Sequence, residues 1–263
     1  MSKNLSFETK NPVVMHRPFL IFISIHVLLA LLFIAAPGID LWFSGLFFIP
    51  GEGFFFDSAS SKTFLPFISW TTAIFINGAI FLLVVNWLRE RRAKHLLFDN
   101  REIIFLLLTL ALGPGLLVNG FLKSHWGRAR PSEVSTFGGR QSFSPAYVIA
   151  HQCRHNCSFV SGDAAMGFYL LAFLFVARKR AHAVGVALAG ALVGSAIGLV
   201  RIAQGAHFLS DIIFAGFITV TVGWLLSILL LRDEETALTF SSNVIPAVAE
   251  GRRVLGRSDR ASR

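Results

Sequence analysis

Two stretches of this chain bring together the side chains that a phosphate ester needs. KSHWGRARP holds Lys123, Arg130 and Pro131, and RIAQGAHFLSD holds Arg201, His207 and Asp211. Both lie where hydrophobic runs end. A tetrahedral phosphate presents several anionic oxygens, which are best held by forked guanidinium groups, an ammonium and backbone N–H groups at a helix N-terminus. Lys123, Arg130 and Arg201 supply the first two kinds, and Ser161 and Gly162, at the head of a later apolar run, supply the third. The same donors would stabilise the charge that spreads over the equatorial oxygens during transfer. His207 and Asp211 stand four residues apart and so share one face of a helix that begins near Phe208. A carboxylate that keeps one ring nitrogen protonated leaves the other free to attack phosphorus.

Hydrophobic helices must position these groups. Of 263 residues, 54% are hydrophobic, only 15% are charged, and 27 are Phe. That much apolar surface does not fit inside one soluble core, so the chain is expected to be an integral membrane protein. The apolar runs are continuous rather than alternating, which favours helices over a barrel. Six runs are near the length needed to cross about 30 Å of hydrocarbon: Phe19 to Ala36, Phe64 to Leu88, Ile103 to Leu122, Ala164 to Ala177, Ala183 to Val200 and Ile212 to Leu231. The fourth is short unless its helix starts near Ser161, which places Ser161, Gly162 and Asp163 in the first turn. No repeat or linker divides the chain, so residues 1–263 are expected to form one all-α, six-helix membrane domain.

Lys and Arg in short connections mark the cytoplasmic side. Arg89, Arg91, Arg92, Lys94 and Arg101 follow the second run, and Arg178, Lys179 and Arg180 follow the fourth. The loop from Pro37 to Thr63 carries Asp40, Glu52 and Asp57 against Lys62 alone and belongs outside. Both termini then lie inside. The basic tail over residues 233–263 is either a solvated segment that touches anionic lipid or a disordered end. Lys3, Lys10 and Arg17 before the first run, with Ala35 and Ala36 after it, also leave a cleaved signal peptide as an alternative.

One segment breaks the charge rule. From Lys123 to Val160 the chain is placed outside, yet Lys123, Arg128, Arg130, Arg140 and Arg154 face only Glu133. An anionic ligand is therefore expected there. Asp163, Arg201 and Asp211 also fall at helix ends on this side, and charges so close to hydrocarbon suggest a site. Taken singly they have plain explanations, since Arg201 could snorkel and Asp211 could cap a helix.

These residues resemble the three motifs of the type 2 phosphatidic acid phosphatase (PAP2) superfamily, K-x6-R-P, P-S-G-H and S-R-x5-H-x3-D. The first runs from Lys123 to Pro131, with Gly127 and Arg128 where many members have Gly-Arg. The third runs from Arg201 to Asp211, with Val200 replacing the leading Ser. The second reads Val160-Ser161-Gly162-Asp163, with Val for Pro and Asp for His. The resemblance covers roughly Ile103 to Leu231. It implies a six-helix bundle and a phosphohistidine on His207 oriented by Asp211. Phosphate would be held by Lys123, Arg130, Arg201, Ser161, Gly162 and Arg128, with no metal and no other cofactor.

The family histidine at position 163 is thought to protonate the leaving oxygen. Asp163 can do so only when protonated itself; His125, His151 or His155 could serve instead, or no dedicated acid exists, and Asp163 could simply cap its helix. Cys153 and Cys157, in CRHNC, are expected to form a disulfide in an oxidising outer compartment. Free thiols are the alternative, as is a zinc site with His151 and His155, whose spacing is unusual for zinc.

A site at the outer boundary of the bilayer suits a phosphate carried on a lipid. The Ser-Gly-Asp variant and the cysteine- and histidine-bearing loop are similar to bacterial lipid A phosphatases that act on the 4′-phosphate, which implies the inner membrane with a periplasmic site. Polyprenyl pyrophosphate, phosphatidylglycerophosphate and phosphatidic acid remain alternative substrates. A phosphotransferase using the same histidine and an inactive binding relative also remain. A transporter would need ionisable residues deep within spans, which are lacking. No nucleic-acid partner is expected.

Overall fold

The computed structural model of the chain describes residues 16–56, 85, 99–178 and 180–231. The expected run Phe64 to Leu88, apart from residue 85, most of the basic loop after it and the basic tail lie outside the described residues. The rest is mostly helical. Helix α1 (His16–Ala35) meets α2 (Gly38–Gly45) at a bend of 87°. The bend falls at Ala36-Pro37, where the proline ring disfavours helical geometry in the residue before it. A two-residue hairpin, β1 (Phe48–Ile49) with β2 (Gly53–Phe54), follows. The described part of the segment read as an outer loop, residues 37–56, is thus an ordered helix and hairpin, too short and too irregular for hydrophobic periodicity to reveal.

Helix α3 (Asn100–His125), α5 (Arg180–Ala203) and α6 (Leu209–Leu230) are each long and apolar enough to cross a membrane, and the bent α1–α2 pair makes a fourth candidate among the described residues. Helix α4 (Gly162–Val176) is shorter. It is α-helical to Phe168 and tightens to 3-10 geometry from Tyr169 to Val176. Leu28 on α1, Leu192 on α5 and Leu229 on α6 are each more than 60% exposed, an arrangement suited to lipid rather than water.

Two local irregularities aim the site. In α3 the stretch Ala111–Leu122 is π-helical around Pro114, which has no N–H to give. Asn119 Nδ2 donates to the Pro114 carbonyl at 2.7 Å, and Asn119 also abuts Gly162, where a Cβ would overlap its side-chain oxygen. On α5, Gly190, Gly194 and Gly198 form a buried stripe at four-residue spacing. A Cβ at these positions would run into Leu171, Phe168 and Ile212 respectively, so bare backbone is what lets α4 and α6 approach. Three residues after Gly198 the same stripe ends in Arg201.

Candidate active site

The imidazole of His207 lies in the short turn between α5 and α6, fully buried. The hairpin holds this turn down: the Phe54 ring packs where Gly205, at φ +63°, has no side chain, and Phe56 N–H donates to the Ala203 carbonyl. His207 Nδ1 lies 2.7 Å from the Ser158 carbonyl. A carbonyl can only accept, so Nδ1 carries the proton and Nε2 keeps its lone pair. Nε2 is buried with no hydrogen-bond partner. Burial pushes the imidazole well down from its ordinary value, to about 4; Asp211 pulls the other way, and Lys123 and Arg201 add to the lowering. At neutral pH the ring is therefore uncharged and Nε2 is available as a nucleophile.

Asp211 Oδ2 is 3.6 Å from Nδ1, beyond hydrogen-bond reach, so the carboxylate acts on the ring as a charge. The Nδ1 proton is directed to the Ser158 carbonyl, with Asp211 beside the same nitrogen at the longer distance, and the Ser158 hydroxyl in turn donates to Asp211 Oδ2. Phe208 N–H donates to the same oxygen at 2.8 Å, which caps α6.

Arg128 is also corrected. Expected at the phosphate, it is fully buried, and its donors are spent within the protein: Nε on the Ser144 carbonyl, Nη1 on Ser210 and on Asp211 Oδ1, Nη2 on Asp40 Oδ2. The Phe208 ring lies 4.2 Å from its guanidinium carbon. Gly127 before it sits at φ +65°, where a Cβ would overlap the Ala150 carbonyl, so the chain can enter this fold only through glycine.

On the more open side, Lys123 Nζ donates to Asn156 Oδ1 at 3.0 Å and Arg130 Nη2 to the Asn156 carbonyl at 2.8 Å. Arg201 Nε lies 2.9 Å from Asp163 Oδ2, angled as an ion pair rather than a hydrogen bond, and its Nη1 donates to Gln204 at 2.6 Å. Lys123 interacts electrostatically with Asp163, Arg130, Arg201 and Asp211. The cations of the two sequence stretches therefore lie near one another.

Ser161 caps α4, accepting the Ala164 N–H, and is fully buried, so it contributes the helix start rather than an exposed hydroxyl. His125 is exposed, stacked on Phe121, with Nδ1 at the Phe121 carbonyl. Neither it nor the exposed His151 and His155 has a hydrogen bond or ion pair to Asp163 or Arg201. Cys153 and Cys157 are bonded to each other, which takes both sulfurs away from any zinc.

Ser158, Ser210, Asn156 and Gln204 also lie at the site without a signal in the sequence, and Asp40, read there only as a loop charge, joins them. The Gly190-Gly194-Gly198 spacing was a legible signal for the buried face that carries Arg201.

A membrane-embedded helical bundle with a buried histidine, a carboxylate beside it and converging cations defines a phosphatase class, and the chain belongs to the PAP2 superfamily, whose pattern matches residues 102–234. It is a phosphoric monoester hydrolase of the membrane. The chain is 36% identical over 208 residues to a lipid A 4′-phosphatase of Francisella tularensis subsp. novicida, covering 77% of this chain and 91% of the relative. It is 35% identical over 209 residues to a lipid A 4′-phosphatase of Rhizobium leguminosarum, covering 74% and 85%. A lipid A 4′-phosphatase of Rhizobium etli is 32% identical over 209 residues, covering 74% and 77%. No solved structure gives a significant match.

Proposed function

We propose that this membrane phosphatase removes the 4′-phosphate of lipid A at the outer face of the bacterial inner membrane, through a phosphohistidine on His207. Lys123, Arg130 and Arg201 hold the phosphate, exchanging Asn156 and Gln204 for its oxygens. The Nε2 lone pair attacks phosphorus and the bond from phosphorus to the sugar oxygen breaks. The ring, with Nδ1 still protonated, becomes a cation that Asp211 and the Ser158 carbonyl stabilise. Water then attacks phosphorus, releasing inorganic phosphate and returning the neutral imidazole. Asp163 holds Arg201 in place. The proton for the leaving oxygen comes from water, because Asp163 paired with Arg201 as a carboxylate has none to give.

The observation that carries the chemistry is His207: a buried imidazole with its proton directed to Ser158 and its other nitrogen unpartnered. Lipid A as substrate is supported by the activity of the three relatives, and the outer face by the distribution of Lys and Arg along the chain. The test offers the purified protein lipid A carrying phosphates at both ends. The expected product retains the 1-phosphate and lacks the 4′-phosphate, with inorganic phosphate released without any acceptor lipid. Loss of the 1-phosphate instead, or turnover only when an acceptor lipid is supplied, contradicts the proposal.

A further inference from the structure

Beneath His207 lies a charge cluster that the chemistry above does not fully use. Arg128, Asp211 and Asp40 have 0%, 0% and 1% exposure. Asp40 comes from α2, outside the residues that match the superfamily. The guanidinium is divided between the two acids, with Nη1 2.6 Å from Asp211 Oδ1 and Nη2 2.7 Å from Asp40 Oδ2. Ser210 locks the arrangement. It donates its hydroxyl to Asp40 Oδ2 at 2.6 Å and its N–H to Asp40 Oδ1 at 2.9 Å, and accepts from Arg128.

Every oxygen of the two acids accepts from an N–H or O–H donor, and with both held as carboxylates in this cage against a single guanidinium the buried group carries one negative charge in excess. The N-terminus of α6, with Phe208 N–H on Asp211 and Ser210 N–H on Asp40, offsets part of it. Burying an incompletely paired charge is costly, and a fold that only needed Arg128 neutralised would need one acid. The excess is matched when His207 becomes a cation on taking up the phosphoryl group. We propose that Asp40 is a positioning residue for phosphoryl transfer: by drawing off half of Arg128 it leaves Asp211 under-neutralised, so that the Asp211 charge is available to phosphorylated His207.

This rests on His207 as nucleophile, and the experiment separates the two ideas. Phosphohistidine formation is followed by rapid quench in a single turnover of bis-phosphorylated lipid A, using the wild type, Asp40→Asn and Asp40→Glu. Asp40→Asn keeps the shape and an acceptor for Ser210 N–H while removing the charge. Its rate of formation falls about 10- to 100-fold, the size of effect seen when an outer partner of a reacting group is lost, with KM within about twofold of wild type. Asp40→Glu, which keeps the charge, stays closer to wild type. A single-turnover rate does not depend on the fraction of protein folded, so a poor yield of either variant leaves the comparison valid. Formation at the wild-type rate in Asp40→Asn, or Asp40→Glu slower than Asp40→Asn, overturns the role of Asp40. Absence of phosphohistidine in the wild type fails the nucleophile assignment instead.

Discussion

The two sides of His207 are built in opposite ways. On the inner side, Arg128, Asp40, Asp211, Ser158 and Ser210 are buried and bonded to one another by charge-assisted contacts. On the outer side, Lys123 and Arg130 are half-buried and meet only the neutral amide oxygen and carbonyl of Asn156. The Asn156 contacts have one ionised partner, and an anionic oxygen in place of the amide adds the attraction of the second charge. On the proposed function phosphate oxygens take the place of Asn156 at the outer cations, whereas Arg128 already has Asp40 and Asp211 as anionic partners. Two arginines two residues apart, Arg128 and Arg130, thus differ in kind: one is buried between two acids, and the other, on the proposed function, receives the substrate phosphate.

Substituting that pair separates the roles most sharply. Arg128→Gln leaves two buried acids without their cation, and should cost about 3–5 kcal/mol of stability together with nearly all activity. Thermal unfolding in detergent checks it, and an unshifted midpoint would break the comparison. Arg130→Gln should leave the midpoint unchanged and raise KM about 10- to 100-fold, the loss of one charge-assisted contact; steady-state kinetics measure it. A smaller effect concerns pH. Because burial lowers the His207 value, the neutral ring persists as pH falls through 6.5 and is lost only toward about 4. NMR of ring-labelled histidine should show Nδ1-protonated, neutral His207 at about pH 6, and a protonation midpoint above 6.5 would contradict it. Smallest is the disulfide. Cys153→Ser opens a short loop worth about 2 kcal/mol at most and releases Asn156, so KM should shift modestly with kcat intact, as kinetics with and without reductant would show.

The outer, substrate-facing half was largely legible in the sequence. Lys123, Arg130, Arg201 and His207 are cations and an imidazole whose types and spacing point to phosphate chemistry, and each stands at the end of an apolar run that hydropathy reveals. The inner half was not. Arg128 has the same chemistry as Arg130, and only the burial created by Gly127, Phe208 and Phe143 decides that it points inward. Asp40 lies 88 residues from its partner, in a segment whose short helix and hairpin carry no periodic signal. Ser158 acts through its backbone carbonyl, which no residue type announces. The helices were readable for a similar reason: long apolar runs identify themselves, while the α1–α2 bend and the π-helical part of α3 depend on Pro37 and Pro114 in tertiary context.

The most direct test of the central claim is to quench the enzyme during turnover of lipid A labelled in its 4′-phosphate and to locate the label on the protein. The account predicts an acid-labile, base-stable phosphoryl group on the peptide that contains His207, formed before inorganic phosphate appears and absent from His207→Ala. Inorganic phosphate released at full rate with no labelled peptide, or by the His207→Ala variant, would contradict it.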